Sequence, residues 1–192
     1  KIKSPFDIFQ GWLEEASRLE IEANAMTLSS VNLAGQPSSR IVLFKGFHNR
    51  KFVFYTNTES SKGRQLCENP SVSICFHWKS LRRQVRVQGR AALIDNLTAD
   101  NYFATRDRDS QIGAWASAQS RNLESRETLE ILIKKFKKKF GKGKIPRPDY
   151  WSGFQVKPVN FEFWEEMPHR LHKRTFYDLD QQDRWTKKLL FP

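Results

Sequence analysis

Apolar and polar positions near the start of the chain follow the period of an α-helix. Ser4 suits the N-cap of this helix and Pro5 suits its first turn. The recurrence predicts an amphipathic helix over residues 5–20. The apolar face of the predicted helix carries Phe6, Phe9, Leu13 and Ala16.

Beyond residue 25 the pattern changes to short β-rich runs separated by turn residues. Ala34–Pro37, Gly46–Arg50 and Asp180–Asp183 have the composition of turns. Many short strands with helices at the edges predict a mainly β fold with peripheral helices, built on an antiparallel barrel. The length of 192 residues favours a single domain over residues 1–192. The predicted strands cover residues 26–32, 38–45, 51–57, 71–78, 83–95, 153–158, 160–165, 171–178 and 184–190.

Three further helices are predicted between the strands. A short helix covers residues 60–69, and a second begins with Thr98 as its cap and ends near Arg106. The longest helix covers Glu124–Phe140. The loop Gly141–Pro148 that follows is rich in Gly, Pro and Lys, but it is too short to mark a domain boundary. The apolar stripe of the longest helix consists of Leu129, Leu132, Ile133, Phe136 and Phe140.

The formal net charge of +12 adds a second interpretation of this longest helix. Clustered lysines neutralise phosphates or anionic lipid headgroups, so an RNA or membrane contact is one function that they allow. A helix with its lysines on the solvated side is the commoner arrangement, and we favour it. The lysine run consists of Lys134, Lys135, Lys137, Lys138, Lys139, Lys142 and Lys144.

Cysteine usage and hydropathy indicate the cellular environment of the protein. Cys67 and Cys75 are the only cysteines, too few for a disulfide framework, and no CxxC or Cys/His cluster suggests a metal site. No apolar run approaches the roughly 20 residues needed to span a bilayer. We therefore expect a reduced, cytoplasmic environment, no metal and no membrane. The chain opens on Lys1 rather than on methionine, so we expect further residues before it.

The segment Tyr102–Ser120 has the composition of a phosphate-binding pocket. Arg106 can hold a phosphate bidentately, and Tyr102 and Ser110 each add a hydroxyl group. Their i, i+4, i+8 spacing places all three on one face if the helix continues through them. A plain helix face with an i, i+4 contact is the alternative.

Other candidate binding residues have equally ordinary alternatives. Lys62 near a helix start is a natural anion site, although helix starts of this kind are common. On pattern alone, Gln84 is a polar edge residue, Trp164 is a core residue and His172 is a structural histidine. The strand Arg40–Lys45 carries a cation at each end, which also suits a barrel strand with both cations in solvent.

The motifs along the chain, taken together, resemble the pyridoxine (pyridoxamine) 5'-phosphate oxidase family. The similarity covers nearly the whole chain, and the motifs occur in the family's order. The resemblance implies a split β-barrel that works as a homodimer with FMN between the subunits. The matching motifs are Phe6-Asp7, Arg40–Lys45, Tyr55-Thr56-Asn57, Arg83-Gln84-Val85, Tyr102–Ser120, Phe163-Trp164 and Arg170-Leu171-His172.

The resemblance also implies roles for individual residues. Arg170 and His172 contact the substrate ring and are the catalytic residues. The substrate phosphate is bound by Lys45, Tyr102, Arg106 and Ser110. The FMN contacts are Arg40, Ile41, Val42, Leu43, Tyr55, Thr56, Lys62, Gln84, Gln119, Ser120, Trp164 and Arg174.

The implied activity is the FMN-dependent oxidation of pyridoxamine 5'-phosphate and pyridoxine 5'-phosphate to pyridoxal 5'-phosphate. Hydride passes from the substrate C4′ carbon to flavin N5, and O2 then accepts the electrons to give H2O2. Two alternatives stay open. One is a split-barrel flavoprotein with another, or an impaired, oxidase activity, and the other is a basic nucleic-acid-binding module. The favoured reading has no nucleic-acid partner.

Two departures from the family pattern fall near the proposed phosphate contacts. Ser61 stands where the family has an arginine on the FMN phosphate, which removes one charge-assisted hydrogen bond. Asp107 replaces a proline and places a negative charge beside the substrate-phosphate residues. We expect Arg106 and Arg108 to offset this charge.

A third departure is Lys173, which stands where the family has an acid. Its position between His172 and Arg174 reverses the charge next to both residues. Like charges close to a histidine lower its pKa, whereas a carboxylate raises it. If these side chains meet, replacing Lys173 with aspartate is expected to raise turnover or to tighten FMN binding. If they point to opposite faces of a strand, Lys173 is silent.

Overall fold

The structure is a computed structural model that describes residues 4–192, and one large sheet dominates it. This confirms the prediction of a mainly β fold with helices. The strands are β1 Ala25–Val31, β2 Pro37–Leu43, β3 Phe47–His48, β4 Lys51–Asn57, β5 Ser71–Trp78, β6 Arg83–Leu93, β7 Trp151–Glu165, β8 Lys173–Leu179 and β9 Trp185–Leu190. The helices are α1 Pro5–Ala16, α2 Ser61–Glu68, α3 Asn96–Thr105, α4 Arg108–Ala116 and α5 Arg126–Phe140, with a 3-10 helix at Pro168–Arg170.

Neighbouring strands pair antiparallel in the order β2-β1-β5-β6-β7-β4-β3, and β8 pairs with both β7 and β9. The first half of β7 lies between β4 and β6, and its second half lies between β6 and β8. Just beyond β2, the Lys45 N–H donates to the Val53 carbonyl at 2.8 Å, and the Val53 N–H donates to the Gly46 carbonyl at 3.0 Å. Backbone hydrogen bonds therefore link the β2 end of the strand order to β4.

The long strand β7 corrects the prediction of two separate strands at 153–158 and 160–165. The predicted break falls at Val159, which the pairing with β6 skips at a bulge beside Gly89. A Cβ on Gly89 would collide with the Lys157 carbonyl, so the close approach of the two backbones requires glycine here. The register changes at this point, but the strand continues.

Helix α1 packs against the sheet through aromatic side chains. Ser4 caps the helix, as predicted, by accepting a first-turn backbone N–H at 3.3 Å. Phe9 is fully buried and meets the ring of Phe76 edge-on, with 4.9 Å between the centroids. The helix ends at Ala16 rather than at residue 20, because the apolar face does not continue and Leu19 is exposed.

The helices α3, α4 and α5 form a layer beside the sheet, and the predicted cap of α3 is wrong. Asp95 rather than Thr98 caps α3, since its carboxylate accepts the Thr98 N–H at 2.8 Å. Helix α3 ends at Thr105, which confirms the predicted end near Arg106, and Asp107 then caps helix α4, which was not predicted. The layer encloses a small apolar cluster of Phe103, Ile112, Ile145 and Trp151.

None of the helices in the described part of the chain is long and apolar enough to cross a membrane. Residues 4–192 contain no group of three or more His, Cys, Asp or Glu side chains that could hold a metal ion. Cys67 is exposed and Cys75 is partly buried, and both are free thiols.

Candidate functional site

A cavity of about 830 Å³ opens between β2, β4 and the helices α2, α3 and α4. It gathers segments that are far apart in the sequence. All four predicted substrate-phosphate contacts line it: Lys45, Tyr102, Arg106 and Ser110. The predicted FMN contacts that line it are Ile41, Val42, Leu43, Tyr55, Thr56, Lys62 and Gln119.

Lys62 is the centre of a polar group on one wall of the cavity. Its Nζ donates to Thr56 Oγ1 at 2.9 Å, to Gln119 Oε1 at 3.0 Å and to Ser60 Oγ at 3.2 Å. Burial, assisted by the positive charge of Arg40, lowers the pKa of Lys62 to about 8. All three acceptors are neutral, and no carboxylate within residues 4–192 pairs with this ammonium group.

Helix α2 positions Lys62 at its first turn. Ser60 caps the helix by accepting the Gly63 N–H at 3.2 Å, and the Ser60 hydroxyl also donates to the Asn57 carbonyl at 2.7 Å. A Cβ on Gly63 would collide with the Thr58 carbonyl, so glycine allows β4 and α2 to meet in this tight turn. The positive end of the helix dipole and the lysine therefore face the same wall.

Arg40 lies behind this wall and does not line the cavity. Its guanidinium donates to the Leu28 carbonyl at 3.1 Å, to Ser30 Oγ at 2.7 Å and to Ser38 Oγ at 2.5 Å. Burial lowers the pKa of Arg40. Its partners are also uncharged, so its positive charge acts on Lys62.

Arg106 also lines the cavity, and its guanidinium lies over the ring of Trp151 at 4.8 Å from the centroid. Burial lowers its pKa. Its Nη1 atom is buried and has no hydrogen-bond partner within residues 4–192. Because buried donors are almost always paired, this orphan donor marks a place where an acceptor is missing.

The backbone around Arg106 is extended between two helices, so the condition for a single helical face, a helix that continues to Ser110, is not met. The three predicted phosphate residues of this segment still reach one cavity, because a bend between α3 and α4 brings them together. Beside them, the ring of Tyr102 stacks on that of Tyr55 at 3.7 Å and 4°. The Trp151 ring is parallel to both.

Asp107 has a structural role that the sequence did not suggest. Its carboxylate accepts the Ser110 N–H at 2.8 Å as the N-cap of α4. Hydrogen bonding by Ser110 lowers the pKa of Asp107. The expected compensation by Arg108 is wrong, because that side chain donates to the Gly143 carbonyl at 2.9 Å, at the end of α5.

Several predicted contacts lie outside this cavity. Gln84, Trp164 and Arg174 are direct neighbours across β6, β7 and β8, so they form one row on the sheet. Ser120 is exposed in a turn with φ of 69°. Neither this residue nor the row lines the cavity of the same chain.

Arg170 lies in a strained turn after β7, and His172 follows this turn. His169 and Arg170 both have positive φ values, 57° and 62°, and this turn delays β8 to residue 173 rather than 171. The Met167 N–H donates to His172 Nδ1 at 3.2 Å. The His172 ring lies 4.6 Å from that of Trp164, so the loop is next to the row but does not line the cavity.

Lys173 does not lie against His172 or Arg174 as the reversed charge had suggested. Its Nζ donates to Glu165 at 2.8 Å, whereas Arg174 donates from Nε to Glu162 at 2.7 Å. Successive strand residues point to opposite faces, and the two ion pairs lie on opposite faces of β8. Lys173 therefore belongs to a separate surface pair.

Two residues that shape these groups could not be recognised from sequence. Trp151 lies under Arg106 and lines the cavity, but no spacing separates it from an ordinary core tryptophan. Glu162 is a buried acid in an aromatic-rich strand, and only its alternation with Phe161 and Phe163 places it on the other face.

The chain is similar to known proteins over nearly its whole length. The family model described as pyridoxamine 5'-phosphate oxidase matches residues 13–140. A pyridoxine/pyridoxamine 5'-phosphate oxidase from Caulobacter vibrioides is 51% identical over 191 residues, which cover 99% of this chain and 86% of that protein. The chain belongs to the pyridoxamine 5'-phosphate oxidase family. A family member from Rhizobium meliloti is 48% identical over 190 residues, covering 98% of this chain and 92% of its own.

Other findings extend the family likeness to the C-terminal region and to solved structures. Residues 151–192 match a pyridoxine 5'-phosphate oxidase C-terminal dimerisation region. PhzG from Burkholderia lata, solved with tetrahydrophenazine-1-carboxylic acid, has a TM-score of 0.92 and 28% identity, covering 98% of this chain and 93% of its own. A pyridoxamine 5'-phosphate oxidase-related, FMN-binding protein from Nostoc punctiforme shares the fold, with a TM-score of 0.80, 18% identity and full coverage of both chains.

Proposed function

We propose that this protein oxidises pyridoxamine 5'-phosphate and pyridoxine 5'-phosphate to pyridoxal 5'-phosphate with FMN as its cofactor and O2 as the electron acceptor. The observation that carries the proposal is the unpartnered Arg106 Nη1 in a cavity shared with Lys45, Tyr102 and Ser110. A phosphate supplies the acceptors that this set lacks, and arginine is well suited to bind it bidentately. The substrate class follows from that chemistry and from the family.

The polar group around Lys62 fits FMN. Lys62 is largely buried beside the start of α2 and lacks an anionic partner, which suits the phosphate group of the cofactor. Thr56 and Gln119 add polar atoms in the same cavity, and β2 offers the backbone of Ile41–Leu43 to a flat polar ring. The donors around Lys62 and those around Arg106 line one cavity, which is consistent with two phosphorylated ligands.

We propose that Arg40, which does not line the cavity, adds positive electrostatic potential near Lys62 and so favours binding of an anion there. The serine at position 61 leaves Lys62 as the charged side chain at the start of α2. FMN affinity in this chain therefore depends strongly on Lys62, which is a consequence of the Ser61 departure.

We propose a homodimer in which each cavity is completed by the second subunit. Gln84, Trp164 and Arg174 lie side by side on the sheet but outside the cavity of their own chain. The exposed residues Leu189 and Phe191 lie on or beside the neighbouring strand β9. This apolar exposure, together with the match to a dimerisation region, supports a partner that buries it.

The ring-binding residues would come from the same surface. The Met167 N–H donates to His172 Nδ1, so a neutral His172 carries its proton on Nε2 and offers a donor there. Arg170 is exposed on the adjoining turn, and we propose that these two side chains orient the substrate ring. The chemistry that FMN supplies when bound is acceptance of hydride from C4′ at N5 and release of the electrons to O2, giving H2O2. The contribution of the protein is to bind, to orient and to exclude water.

The strand pairing supports our proposals of a split barrel and of a single domain. The hydrogen bonds that join residues 45–46 to β4 support a sheet closed into a split barrel. The position of β7 between β4 and β6 supports a single domain over residues 1–192, because the C-terminal region shares the sheet of the N-terminal one. The two free cysteines support a cytoplasmic location.

A second candidate is oxidation of a different ring substrate, favoured by the structural likeness to PhzG. The unpartnered Arg106 argues for the phosphorylated substrates. A nucleic-acid function has less support, because Lys137 pairs with Asp109 at 2.8 Å and Lys139 lies over the Trp115 ring at 5.2 Å.

Turnover of the purified FMN-loaded protein tests the proposal. We expect H2O2 and pyridoxal 5'-phosphate to form from pyridoxamine 5'-phosphate, and far slower reaction with unphosphorylated pyridoxamine. Equal rates with the two compounds would remove the phosphate from the recognition scheme. No peroxide with either compound, from a protein that binds FMN, would favour the second candidate.

A further inference from the structure

Glu162 is a buried acid at the centre of the sheet, on the same face of β7 as Trp164. Its side chain is 8% exposed. One carboxylate oxygen accepts from Arg86 Nη1 at 3.2 Å, and the other accepts from Arg174 Nε at 2.7 Å. The carboxylate therefore bridges two arginines that belong to the strands on either side of β7.

Two hydrogen bonds fix the guanidinium plane of Arg174. Nε donates to Glu162, and Nη1 donates to the Phe191 carbonyl at 2.9 Å. The remaining nitrogen, Nη2, makes no hydrogen bond within residues 4–192. The hydrogen bond to Glu162 raises the pKa of Arg174, so the group stays charged. One donor edge of a rigid, fixed cation is thus left for a ligand.

Stability alone is a poor reason for this arrangement. Burying a carboxylate is costly, and a buried ion pair is often no more stabilising than apolar side chains of similar size. The opposite face of the same strand carries Phe161 and Phe163, both buried. A charged bridge on one face is better explained by what it holds, since a carboxylate restricts an arginine to one plane.

We propose that Glu162 is a positioning residue that holds the Arg174 guanidinium in the orientation required to bind FMN, with Arg86 keeping the carboxylate in place. The inference rests on the proposed function, because it assigns Arg174 to the cofactor. Glu162 itself does not touch the ligand in this account. It acts by limiting the rotamers of Arg174, so that less freedom is lost when FMN binds.

FMN affinity, measured by fluorescence titration of the flavin-free dimer, gives a readout that does not depend on turnover. The variants are Glu162→Gln, Arg174→Ala and the double variant. Glu162→Asp tests rescue, because it restores the charge on a side chain one methylene shorter. The matched control is Glu165→Gln, which removes the negative charge that pairs with Lys173 on the other face of the same strand. Circular dichroism and dimer mass confirm folding of each protein.

We expect Glu162→Gln to weaken FMN binding roughly tenfold or more, since the amide lacks the negative charge and has one acceptor oxygen for two arginines. Glu162→Asp should recover part of that loss, and Glu165→Gln should leave the affinity unchanged. In the Arg174→Ala background, Glu162→Gln should have less than about a twofold effect, because it acts through the missing arginine.

Two results overturn the inference while leaving the proposed function intact. One is a full additional loss of affinity in the double variant, and the other is unchanged FMN binding by a folded Glu162→Gln protein. If Glu162→Gln does not fold, the Glu162→Asp protein decides by the same comparison with and without Arg174. Failure of the wild-type protein to bind FMN overturns both the inference and the proposed function.

Discussion

Two groups of basic residues in this protein differ in how their charges are compensated. In the cavity, the partly buried Lys62 has neutral hydrogen-bond partners and the partly buried Arg106 lies near the Asp107 carboxylate, and burial lowers the pKa of each. On the outer row, Arg174 is bridged to the buried Glu162, and that hydrogen bond raises its pKa. An uncompensated buried cation gains most from an incoming anion, whereas a paired cation is already oriented. The contrast indicates that the cavity supplies the anion-binding charge and the row supplies fixed geometry.

Replacing Arg106 should produce the largest effect. Arg106→Ala is expected to lower kcat/KM for pyridoxamine 5'-phosphate by the equivalent of roughly 2–5 kcal/mol, mainly through a higher KM, because it removes one partner of a buried charge pair. Arg108→Ala is the control, since that side chain contacts the end of α5. Steady-state kinetics of both variants check the prediction. A KM of Arg106→Ala equal to that of the wild type would show that the orphan donor does not meet the substrate.

The pKa of Lys62 predicts an intermediate effect of pH on FMN affinity. A protonated Lys62 is needed to compensate the phosphate, so affinity for FMN should fall as the pH rises through about 8. The FMN phosphate is already doubly charged there, since its second pKa is about 6. Fluorescence titrations of wild type and Lys62→Met across this range should show the slope only in the wild type. Parallel slopes would assign the pH dependence to another group.

The lowered pKa of Lys62 also predicts how the free energy of unfolding changes with pH. The pKa of Lys62 in the folded, FMN-free protein lies below its ordinary value of 10.5, so between about 8 and 10.5 the unfolded chain binds more protons. The FMN-free protein should therefore gain stability from this group as the pH rises through that interval. Bound FMN should reduce the gain, because an anion restores the protonated lysine. Denaturant unfolding with and without FMN measures both slopes.

The smallest effect is expected at Lys173. Its exposed pair with Glu165 lies on the face opposite Arg174, so Lys173→Asp should leave FMN affinity and turnover unchanged. Placing a second acid beside Glu165 should cost roughly 0.2–1 kcal/mol of unfolding free energy. Thermal unfolding and FMN titration of Lys173→Asp decide this. A gain in turnover would support the hypothesis drawn from sequence, that the lysine acts on His172.

The sequence predicted most strands and helix α1 because alternation and capping are local properties. It predicted the end of α3 near Arg106 but missed helix α4, because the capping role of Asp107 was not recognised. The expected strand break at Val159 was wrong because a bulge is a property of the pair of strands. The site residues were indicated by motif order. Their division between a cavity and a separate row, and the bridge through Glu162, depend on register between distant strands and could not be predicted.

Mixed dimers test most directly the central claim, that one subunit supplies the cavity and the other supplies the row. Arg106→Ala damages only the cavity, and Arg174→Ala damages only the row. In a dimer with one chain of each kind, one site receives both defects and the other receives neither. At substrate and FMN concentrations too low to saturate the variants, isolated mixed dimers should therefore recover about half of the wild-type activity, although each homodimeric variant is nearly inactive. Mixed dimers no more active than the mean of the two variants would contradict the account.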